Sequence, residues 1–208
     1  MSMHERTSPH RLIVAITGAS GVIYGIRAME TLAQDPSVET HLILTAAARA
    51  TIAQETDWKA RDVEALANVV HPSSNIGASV ASGSFETMGM LVAPCSIKTL
   101  SAIANSYSAE LVARAADVQL KEGRPVVLLV RETPLHLLHI RNMQAVTECG
   151  AIIFPPVPAF YTRPQSLDDI VTHSVVRALD LFGLEAKSIP RWGETIKLCE
   201  KDKQKEFA

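Results

Sequence analysis

The chain has 208 residues, of which 47% are hydrophobic, and its formal net charge at pH 7 is −2. This length suits one domain with a substantial core. A near-neutral charge excludes the strongly basic surface that binds nucleic acids or anionic membranes, so a small organic ligand is expected and no nucleic acid. We expect a flexible N-terminus over residues 1–10, a single domain over 11–193 and a charged C-terminal tail over 194–208.

The cysteines and the apolar runs predict the compartment. Cys95, Cys149 and Cys199 are scattered and form no CxxC pair, which is typical of a reducing cytoplasm. Residues 1–11 are polar and lack the apolar segment of an export signal, and no apolar run is long enough to span a bilayer. The histidines show no metal-ligand spacing. We therefore expect a cytoplasmic protein with no membrane span and no metal.

Short apolar runs alternate with helical patterns along the chain. Strands are predicted at residues 12–16, 41–44, 90–93, 126–130 and 151–154. Helices are expected near residues 22–34, 46–55, 62–67, 97–104, 109–122, 135–148 and 167–182. Strands that alternate with helices form right-handed βαβ units, so the pattern predicts an α/β protein with a parallel sheet covered on both faces.

The first strand runs directly into Thr17-Gly18-Ala19-Ser20-Gly21. Glycines let the backbone approach a ligand closely, and the N-terminus of the following helix would face an anion, so this loop predicts a phosphate site. The loop differs from that of nicotinamide-dependent short-chain dehydrogenases, because its glycines fall at 18, 21 and 25 and no tyrosine has a lysine four residues on. A glycine turn that serves only strand-to-helix packing is the alternative.

Ligands of an open parallel sheet bind at the carboxyl ends of its strands. The segments that follow the predicted strands are 18–21, 45–47, 94–99 and 131–134, and a proline-rich loop then leads to Tyr161. Hydroxyls and backbone amides dominate the first three segments, whereas charge dominates the fourth. This division predicts a neutral, hydrogen-bonding cradle for one ligand beside a charged site for another.

Each candidate side chain also has a structural interpretation. Ser96 and Thr99 could simply cap a helix, and Cys95 fits a buried core residue better than a nucleophile. Arg131 could hold a phosphate while Glu132 exchanges a proton with it, or the two could belong to structural ion pairs. Arg114, Lys121 and Arg177 lie on predicted helices, where a solvated face is the default.

A set of collinear motifs covers nearly the whole chain and resembles the UbiX/Pad family of flavin prenyltransferases. The motifs are Thr17-Gly18-Ala19-Ser20-Gly21, Glu55-Thr56-Asp57, Ala81-Ser82-Gly83-Ser84-Phe85, Pro94-Cys95-Ser96-Ile97-Lys98-Thr99-Leu100-Ser101, Arg114-Ala115-Ala116-Asp117, Leu120-Lys121-Glu122, Arg131-Glu132-Thr133-Pro134-Leu135, Pro158-Ala159-Phe160-Tyr161 and Arg163-Pro164-Gln165-Ser166. One such motif would be weak evidence, but many in the same order are specific.

The resemblance implies a flavodoxin-like, Rossmann-like three-layer αβα fold, and a homo-oligomer, typically a dodecamer, with active sites where subunits meet. The implied reaction transfers a dimethylallyl group from dimethylallyl phosphate to N5 and C6 of reduced FMN, without a metal. Its product, prenylated FMN, would be passed to a UbiD-type decarboxylase, commonly in ubiquinone biosynthesis.

The resemblance also assigns residues. Those implied to hold FMN are Gly18, Ala19, Ser20, Thr45, Ser96, Ile97, Lys98, Thr99 and Arg131. Those implied to surround the allylic phosphate, partly from neighbouring subunits, are Lys121, Glu132, Tyr161 and Arg177, with Arg114 and Glu55 as weaker candidates. Ser20 would act near flavin N5, Lys121 would supply charge, Tyr161 a hydrogen bond and Glu132 a proton relay.

Some positions depart from the family pattern, and other functions stay open. Thr45 replaces a frequent serine, and Glu110 replaces a common asparagine before Arg114. The alternatives are an FMN-dependent decarboxylase of the peptidyl-cysteine type, whose Asn-containing turn is missing at residues 94–99, direct decarboxylation of aromatic acids, and a non-catalytic FMN-binding subunit.

Overall fold

The computed structural model describes residues 10–184 and 189–192. Its strands are β1 (His10–Ile16), β2 (Val38–Leu44), β3 (Val69–Pro72), β4 (Gly89–Cys95), β5 (Val126–Val130) and β6 (Ile152–Ile153). Its helices are α1 (Ile23–Leu32), α2 (Ala46–Glu55), α3 (Ala60–Glu64), α4 (Ile97–Ala104), α5 (Leu111–Lys121), α6 (Leu137–Glu148) and α7 (Leu167–Asp180), with short 3₁₀ helices at Ser79–Ala81 and Phe160–Thr162. The predicted tail 194–208, the boundary at 193 and most of the predicted flexible N-terminus lie outside the described residues.

The strands form one sheet in the order β3-β2-β1-β4-β5-β6, and every pairing between them is parallel. This confirms the predicted α/β fold. Strand β1 pairs with β2 on one side and with β4 on the other, so the strand order reverses beside β1. A reversal of this kind opens a crevice at the carboxyl ends of the two central strands, which is where doubly wound sheets bind ligands.

Strand β1 is apolar from Leu12 to Ile16 because both faces of the sheet are covered there. Leu12, Val14 and Ile16 face one hydrophobic cluster, while Ile13 and Ala15 face the other, and all of them are fully buried. Alternate side chains of a strand point to opposite faces, so a central parallel strand needs a continuous apolar run. The motif after β1 therefore starts from a rigidly packed point of the fold.

Several predicted elements have other bounds, and one strand was missed. Helices α2 and α4 and strand β5 have the predicted limits, whereas the helix predicted at 62–67 lies at 60–64. The missed strand is β3, whose four residues Val-Val-His-Pro pair only with β2 at the sheet edge. A four-residue edge strand that ends in proline lacks the length and periodicity from which strands are predicted.

Candidate active site

The carboxyl ends of β1 and β4 are tied together by one hydroxyl group. Thr17 Oγ1 donates a hydrogen bond to the carbonyl oxygen of Pro94 at 2.7 Å and accepts one from the Ser96 amide at 2.9 Å. Thr17 is buried, so these bonds fix the two loops relative to each other. The glycine loop and the Pro-Cys-Ser turn consequently form opposite walls of one crevice.

Two helices begin at this crevice, and each has a hydroxyl side chain as its N-cap. Thr45 Oγ1 accepts from the Ala48 amide at 3.1 Å at the start of α2, and Ser96 Oγ accepts from the Thr99 amide at 3.3 Å at the start of α4. The cavity between them has a volume of about 400 Å³. It is lined by Thr17, Gly18, Thr45, Ala46, Ala47, Ser73, Ser96, Lys98, Thr99 and Glu110. We call it the hydroxyl cavity.

Gly18 brings the backbone of the loop into direct contact with α2. A Cβ atom at this position would lie 2.3 Å from the Ala47 Cβ atom, far below van der Waals contact. Side chains larger than hydrogen are therefore excluded between the loop and the first turn of α2. This close approach, the paired hydroxyls and the two helix N-termini fit the phosphate and polar chain of a nucleotide such as FMN.

A surface ion pair borders the hydroxyl cavity. Lys98 Nζ lies 2.6 Å from Glu110 Oε1, and the side chains are 80% and 43% exposed. Glu110 precedes α5 and Lys98 lies in the first turn of α4, so the pair joins two helices across one wall of the cavity. The family resemblance implies that Lys98 contacts the flavin nucleotide, and the structure places this residue on the cavity wall.

A second, larger cavity of about 750 Å³ lies on the other side of the glycine loop. It is lined by Gly21, Ile23, Tyr24, Glu55, Thr56, Asp57, Trp58, Val130, Arg131, Glu132, Thr133, Pro155, Pro156, Leu167, Asp168, Ile170 and Val171. We call it the charged cavity. Charged groups stand among apolar and aromatic side chains here, which suits a ligand with a hydrocarbon part and an anionic part.

The anion at the N-terminus of α1 is supplied by the protein itself. Glu55 Oε2 accepts hydrogen bonds from the amides of Gly21 at 2.7 Å and Val22 at 3.3 Å. These amides are the ones that the sequence pattern predicted would face a ligand anion. Glu55 thus lines the charged cavity as the partner of the α1 amides, and it is not among the ion pairs of the described residues.

Arg131 and Glu132 follow β5 and face the charged cavity. The Arg131 side chain passes close to Gly21, where an added Cβ atom would lie 2.8 Å from Nε. Neither residue is among the ion pairs of residues 10–184 and 189–192, so the structural ion pair is not formed. Burial raises the pKa of nearby Tyr24, and the charge of Arg131 acts in the opposite direction.

The cationic residues of α5 lie away from both cavities. Arg114 Nη1 pairs with Asp117 Oδ2 at 3.0 Å, and Lys121 pairs with the adjacent Glu122. Lys121 ends α5 just before β5 begins, whereas Arg131 follows the opposite end of that strand. A five-residue strand spans about 16 Å. One chain therefore does not bring Lys121 to the Arg131 side of the sheet.

A third group surrounds Tyr161 on the outer face of α7. The Tyr161 hydroxyl lies 3.2 Å from His173 Nε2, and the Trp192 ring meets the Tyr161 ring edge to face at 5.2 Å. Arg177 pairs with Asp180, which also binds Arg191 through two hydrogen bonds of 2.9 Å. This group, which we call the tyrosine cluster, concentrates positive charge and hydrogen-bond donors beside an aromatic wall.

The predicted site residues thus divide among separate regions. The hydroxyl cavity holds Gly18, Thr45, Ser96, Lys98 and Thr99, and the charged cavity holds Glu55, Arg131 and Glu132. Ser20 is exposed on the loop between the cavities, next to buried Ala19, while Ile97 packs against the core. Arg114, Lys121, Tyr161 and Arg177 lie outside both cavities.

Sequence reasoning missed several residues that line the cavities. Thr17 and Ser73 contribute hydroxyls to the hydroxyl cavity, and Tyr24 and Trp58 contribute aromatic surface to the charged cavity. Trp58 directly follows the Glu55-Thr56-Asp57 motif, and a tryptophan beside a polar motif could have indicated a ligand wall. Ser73 follows the unpredicted strand β3, so no strand end was assigned there.

Some predictions concern residues outside these sites. Cys95 is fully buried and its pKa is raised to about 12 by burial, which confirms its interpretation as a core residue. Within residues 10–184 and 189–192, no group of three or more His, Cys, Asp or Glu side chains could hold a metal ion. No helix in the described part of the chain is long and apolar enough to cross a membrane.

A doubly wound parallel sheet with a hydroxyl-lined, helix-capped crevice at its switch point defines a flavodoxin-like nucleotide-binding protein. Residues 1–178 match the Flavoprotein family. The chain is 58% identical over 174 residues to the flavin prenyltransferase UbiX of Escherichia coli strain K12, a match that covers 84% of this chain and 92% of the relative. The chain belongs to the UbiX/Pad family of flavin prenyltransferases.

Two solved structures share this fold at similar identity. The complex of AnUbiX (PadA1) with FMN and dimethylallyl pyrophosphate has a TM-score of 0.87 and 48% identity, covering 89% of this chain and 98% of the other. The dodecameric FMN-dependent Ubix-like decarboxylase of Escherichia coli O157:H7 has a TM-score of 0.86 and 49% identity, and the match covers 88% of this chain and 98% of the other. The predicted family and fold are thereby confirmed.

Proposed function

We propose that this protein is an enzyme that transfers a dimethylallyl group from dimethylallyl phosphate to reduced FMN, forming prenylated FMN. The observation that carries the proposal is the pair of cavities on either side of the 17–21 loop, one lined by hydroxyls and helix N-termini and the other by Arg131 and Glu132. A nucleotide and a small apolar anion could meet at this loop. Relatives named flavin prenyltransferase, and a similar structure that holds FMN with dimethylallyl pyrophosphate, support this assignment.

The hydroxyl cavity is the proposed FMN site. Thr45 and Ser96 would position the amides of α2 and α4 for the FMN phosphate, and Gly18 would let the loop lie against the ligand. Lys98 and Thr99 would complete this wall, and Ala19 and Ile97 would support it. Ser20 and Arg131 would then face the flavin ring from the loop and from the end of β5.

The charged cavity is the proposed site of the allylic substrate, where the leaving phosphate must be stabilised and a proton transferred. The allylic C–O bond breaks and its electron pair leaves with the phosphate, while a C–N bond forms at flavin N5 and the N5 proton is released. The alkene of the attached group then takes up one proton and forms a C–C bond to flavin C6, which releases its own proton. The leaving phosphate carries concentrated negative charge, which preorganised cations and hydrogen-bond donors stabilise. Neither Arg131 nor Glu132 forms an ion pair with another residue in the part of the chain that the structure describes, so Arg131 would supply charge and Glu132 would relay a proton.

One chain leaves this site incomplete, so we assign the missing groups to other copies. Lys121, Arg114 and the tyrosine cluster with Arg177 lie away from the charged cavity, yet they carry the charge and hydrogen bonds that phosphate departure requires. A site assembled from several subunits would unite them. The dodecameric state of a relative 49% identical to this chain supports an oligomer.

Helix α6 provides a surface for such an assembly. Only Val146 of this helix is buried, whereas Leu137, Leu138 and Ile140 are 51–60% exposed and Leu135 precedes them at 45%. A contiguous apolar surface on a single chain indicates a contact surface. We propose that this α6 face, defined by Leu135, Leu137, Leu138 and Ile140, is buried between copies of the chain.

We propose that the product serves a UbiD-type decarboxylase, as the resemblance to the UbiX/Pad family implies. Among the described residues, no side chain that lines either cavity offers an electron sink for the decarboxylation of an aromatic acid. The cytoplasm remains the predicted compartment, on the basis of the scattered cysteines.

Anaerobic incubation with reduced FMN and dimethylallyl phosphate tests the proposal. We expect a flavin product whose mass exceeds that of reduced FMN by C5H8, because a dimethylallyl group replaces one hydrogen, with release of inorganic phosphate. Glu132→Gln should bind FMN with unchanged affinity but form the product about 100-fold more slowly, the scale of a lost general acid–base group. FMN binding without any adduct would reject the enzyme and favour the non-catalytic flavin-binding alternative.

A mixing experiment tests the composite site. Lys121→Gln and Arg131→Gln would each be inactive as pure oligomers. If a site takes Lys121 from one copy and Arg131 from another, mixed oligomers contain some sites with both residues intact, and part of the activity returns. Mixed oligomers that stay inactive would mean that both residues of a site come from the same copy.

A further inference from the structure

His173 is the one side chain bonded to the Tyr161 hydroxyl among the described residues, and neither the sequence motifs nor the proposed roles include it. Its Nε2 atom lies 3.2 Å from the Tyr161 oxygen, and the rings meet edge to face with centroids 5.8 Å apart. Tyr161 belongs to a three-residue 3₁₀ helix in the proline-rich loop, whereas His173 stands in the middle of the fourteen-residue helix α7. A regular helix thus anchors a tyrosine carried by an irregular loop.

The direction of this hydrogen bond decides what Tyr161 can do for an anion. If the phenol donates to Nε2, its single proton is used within the protein and an anion meets only oxygen lone pairs. If Nε2–H donates to the phenol oxygen, the phenol proton is free to turn toward the anion. Only the second arrangement supports the hydrogen bond to phosphate that the proposed function assigns to Tyr161.

We propose that His173 is a positioning residue whose Nε2–H donates to the Tyr161 oxygen and turns the Tyr161 O–H toward the phosphate of the allylic substrate. This inference rests on the proposed function for the identity of the phosphate ester, and on the geometry for the pairing itself. His173 touches no reacting atom, because its contribution passes through the tyrosine.

The charges around His173 are consistent with this role. Arg177 and Asp180 lie on its own helix, and Arg191 reaches Asp180 from the segment 189–192. Burial lowers the pKa of His173, and the charges of Arg177 and Arg191 lower it further, while Asp180 acts in the opposite direction. These contributions favour the neutral ring, so the arginines supply the positive charge and His173 orients the Tyr161 hydroxyl.

A double-mutant cycle separates positioning from general packing. The variants are His173→Leu, His173→Gln, Tyr161→Phe and the double variant His173→Leu/Tyr161→Phe, each in the full oligomer and checked by thermal melting. The first readout is the rate of prenylated FMN formation. The second is the affinity of the flavin-free protein for inorganic phosphate, measured by calorimetry, which does not depend on turnover. His10→Gln, an exposed histidine at the start of β1, is the matched control.

We expect His173→Leu to lower both the rate and the phosphate affinity about tenfold, the scale of one weakened hydrogen bond to a charged group. In the Tyr161→Phe background the same substitution should change neither quantity. His173→Gln keeps an N–H donor and should recover most of the loss, and His10→Gln should match the unmodified protein.

An equal loss from His173→Leu in both backgrounds would overturn the proposal, as would a Gln variant no better than the Leu variant. If the unmodified protein forms no adduct at all, the proposed function fails, while the phosphate-binding cycle still decides whether His173 acts through Tyr161.

Discussion

Gly18→Ala tests the closest contact in the proposed FMN site. The new methyl group would lie 2.3 Å from the Ala47 Cβ atom, and ordinary contact begins at 3.4 Å. The loop and the first turn of α2 would have to separate by about 1.1 Å. Hydrogen bonds hold both segments in place, because Thr17 in the loop bonds to the end of β4 and Ala48 in α2 bonds to the Thr45 side chain. Such overpacking costs about 1–3 kcal/mol.

The structure also defines a compensating substitution. Ala47→Gly removes the colliding Cβ atom, and the next atoms of residue 47 lie 3.2 and 3.3 Å from the added methyl, a gap that small shifts can relieve. Glycine at this helical position costs about 1 kcal/mol by itself. The double variant should therefore lose less unfolding free energy than the two single variants lose together, and the difference should be about 1–2 kcal/mol.

The assay is urea unfolding of all variants, together with FMN affinity from the quenching of flavin fluorescence. Gly18→Ala should lose stability and bind FMN at least about tenfold more weakly, since about 1.4 kcal/mol corresponds to a factor of ten. Gly77→Ala is the matched control, because its added methyl meets only Asn75 Oδ1 at 3.6 Å. If Gly18→Ala is as stable as the unmodified protein and binds FMN equally well, Ala47 does not limit how closely the loop approaches α2.

Three further predictions concern other parts of the molecule. Burial lowers the pKa values of His41 and His71, which are joined by a 2.9 Å hydrogen bond, so the unfolded state binds more protons than the folded state. The contribution of these histidines to the unfolding free energy is complete above about pH 6.5 and decreases as the pH falls toward the lowered pKa values. His71→Gln should therefore weaken the pH dependence of the unfolding free energy measured between pH 7 and 5. Leu138→Glu should dissociate the oligomer in sedimentation experiments whereas Leu138→Met should not, and an intact oligomer with glutamate would show that the α6 face stays exposed. Iodoacetamide at pH 8 should modify exposed Cys149 in the native protein but leave Cys95 unmodified until unfolding, because burial raises the pKa of Cys95 to about 12; rapid modification of Cys95 would contradict its burial.

Local patterns predicted the central part of the fold well. Strand β5 and helices α2 and α4 have the predicted limits because each is bounded by turn or capping residues and has a clear apolar pattern, as at Thr45 and Ser96. The edge strand β3 was missed because four residues paired on one side carry too little periodicity. Its position at the sheet edge depends on pairing with β2, a contact between residues distant in sequence.

The site was predicted in part. The strand ends of β1, β2 and β4 pointed to the hydroxyl cavity because parallel strands bring their carboxyl ends to one edge. The partner of the α1 amides could not be foreseen, since Glu55 reaches Gly21 only after α2 has packed beside the loop. The separation of Lys121 from Arg131, by contrast, already follows from the predicted elements, because the strand predicted at residues 126–130 lies between them.

The sequence by itself determined the family, the parallel α/β architecture and the residue types of both cavities, because apolar periodicity, helix caps and glycine turns are local properties. Tertiary structure alone decided how these residues are grouped. It placed Glu55 on the α1 amides and joined Tyr161 to His173, because each contact depends on how separate elements pack against one another.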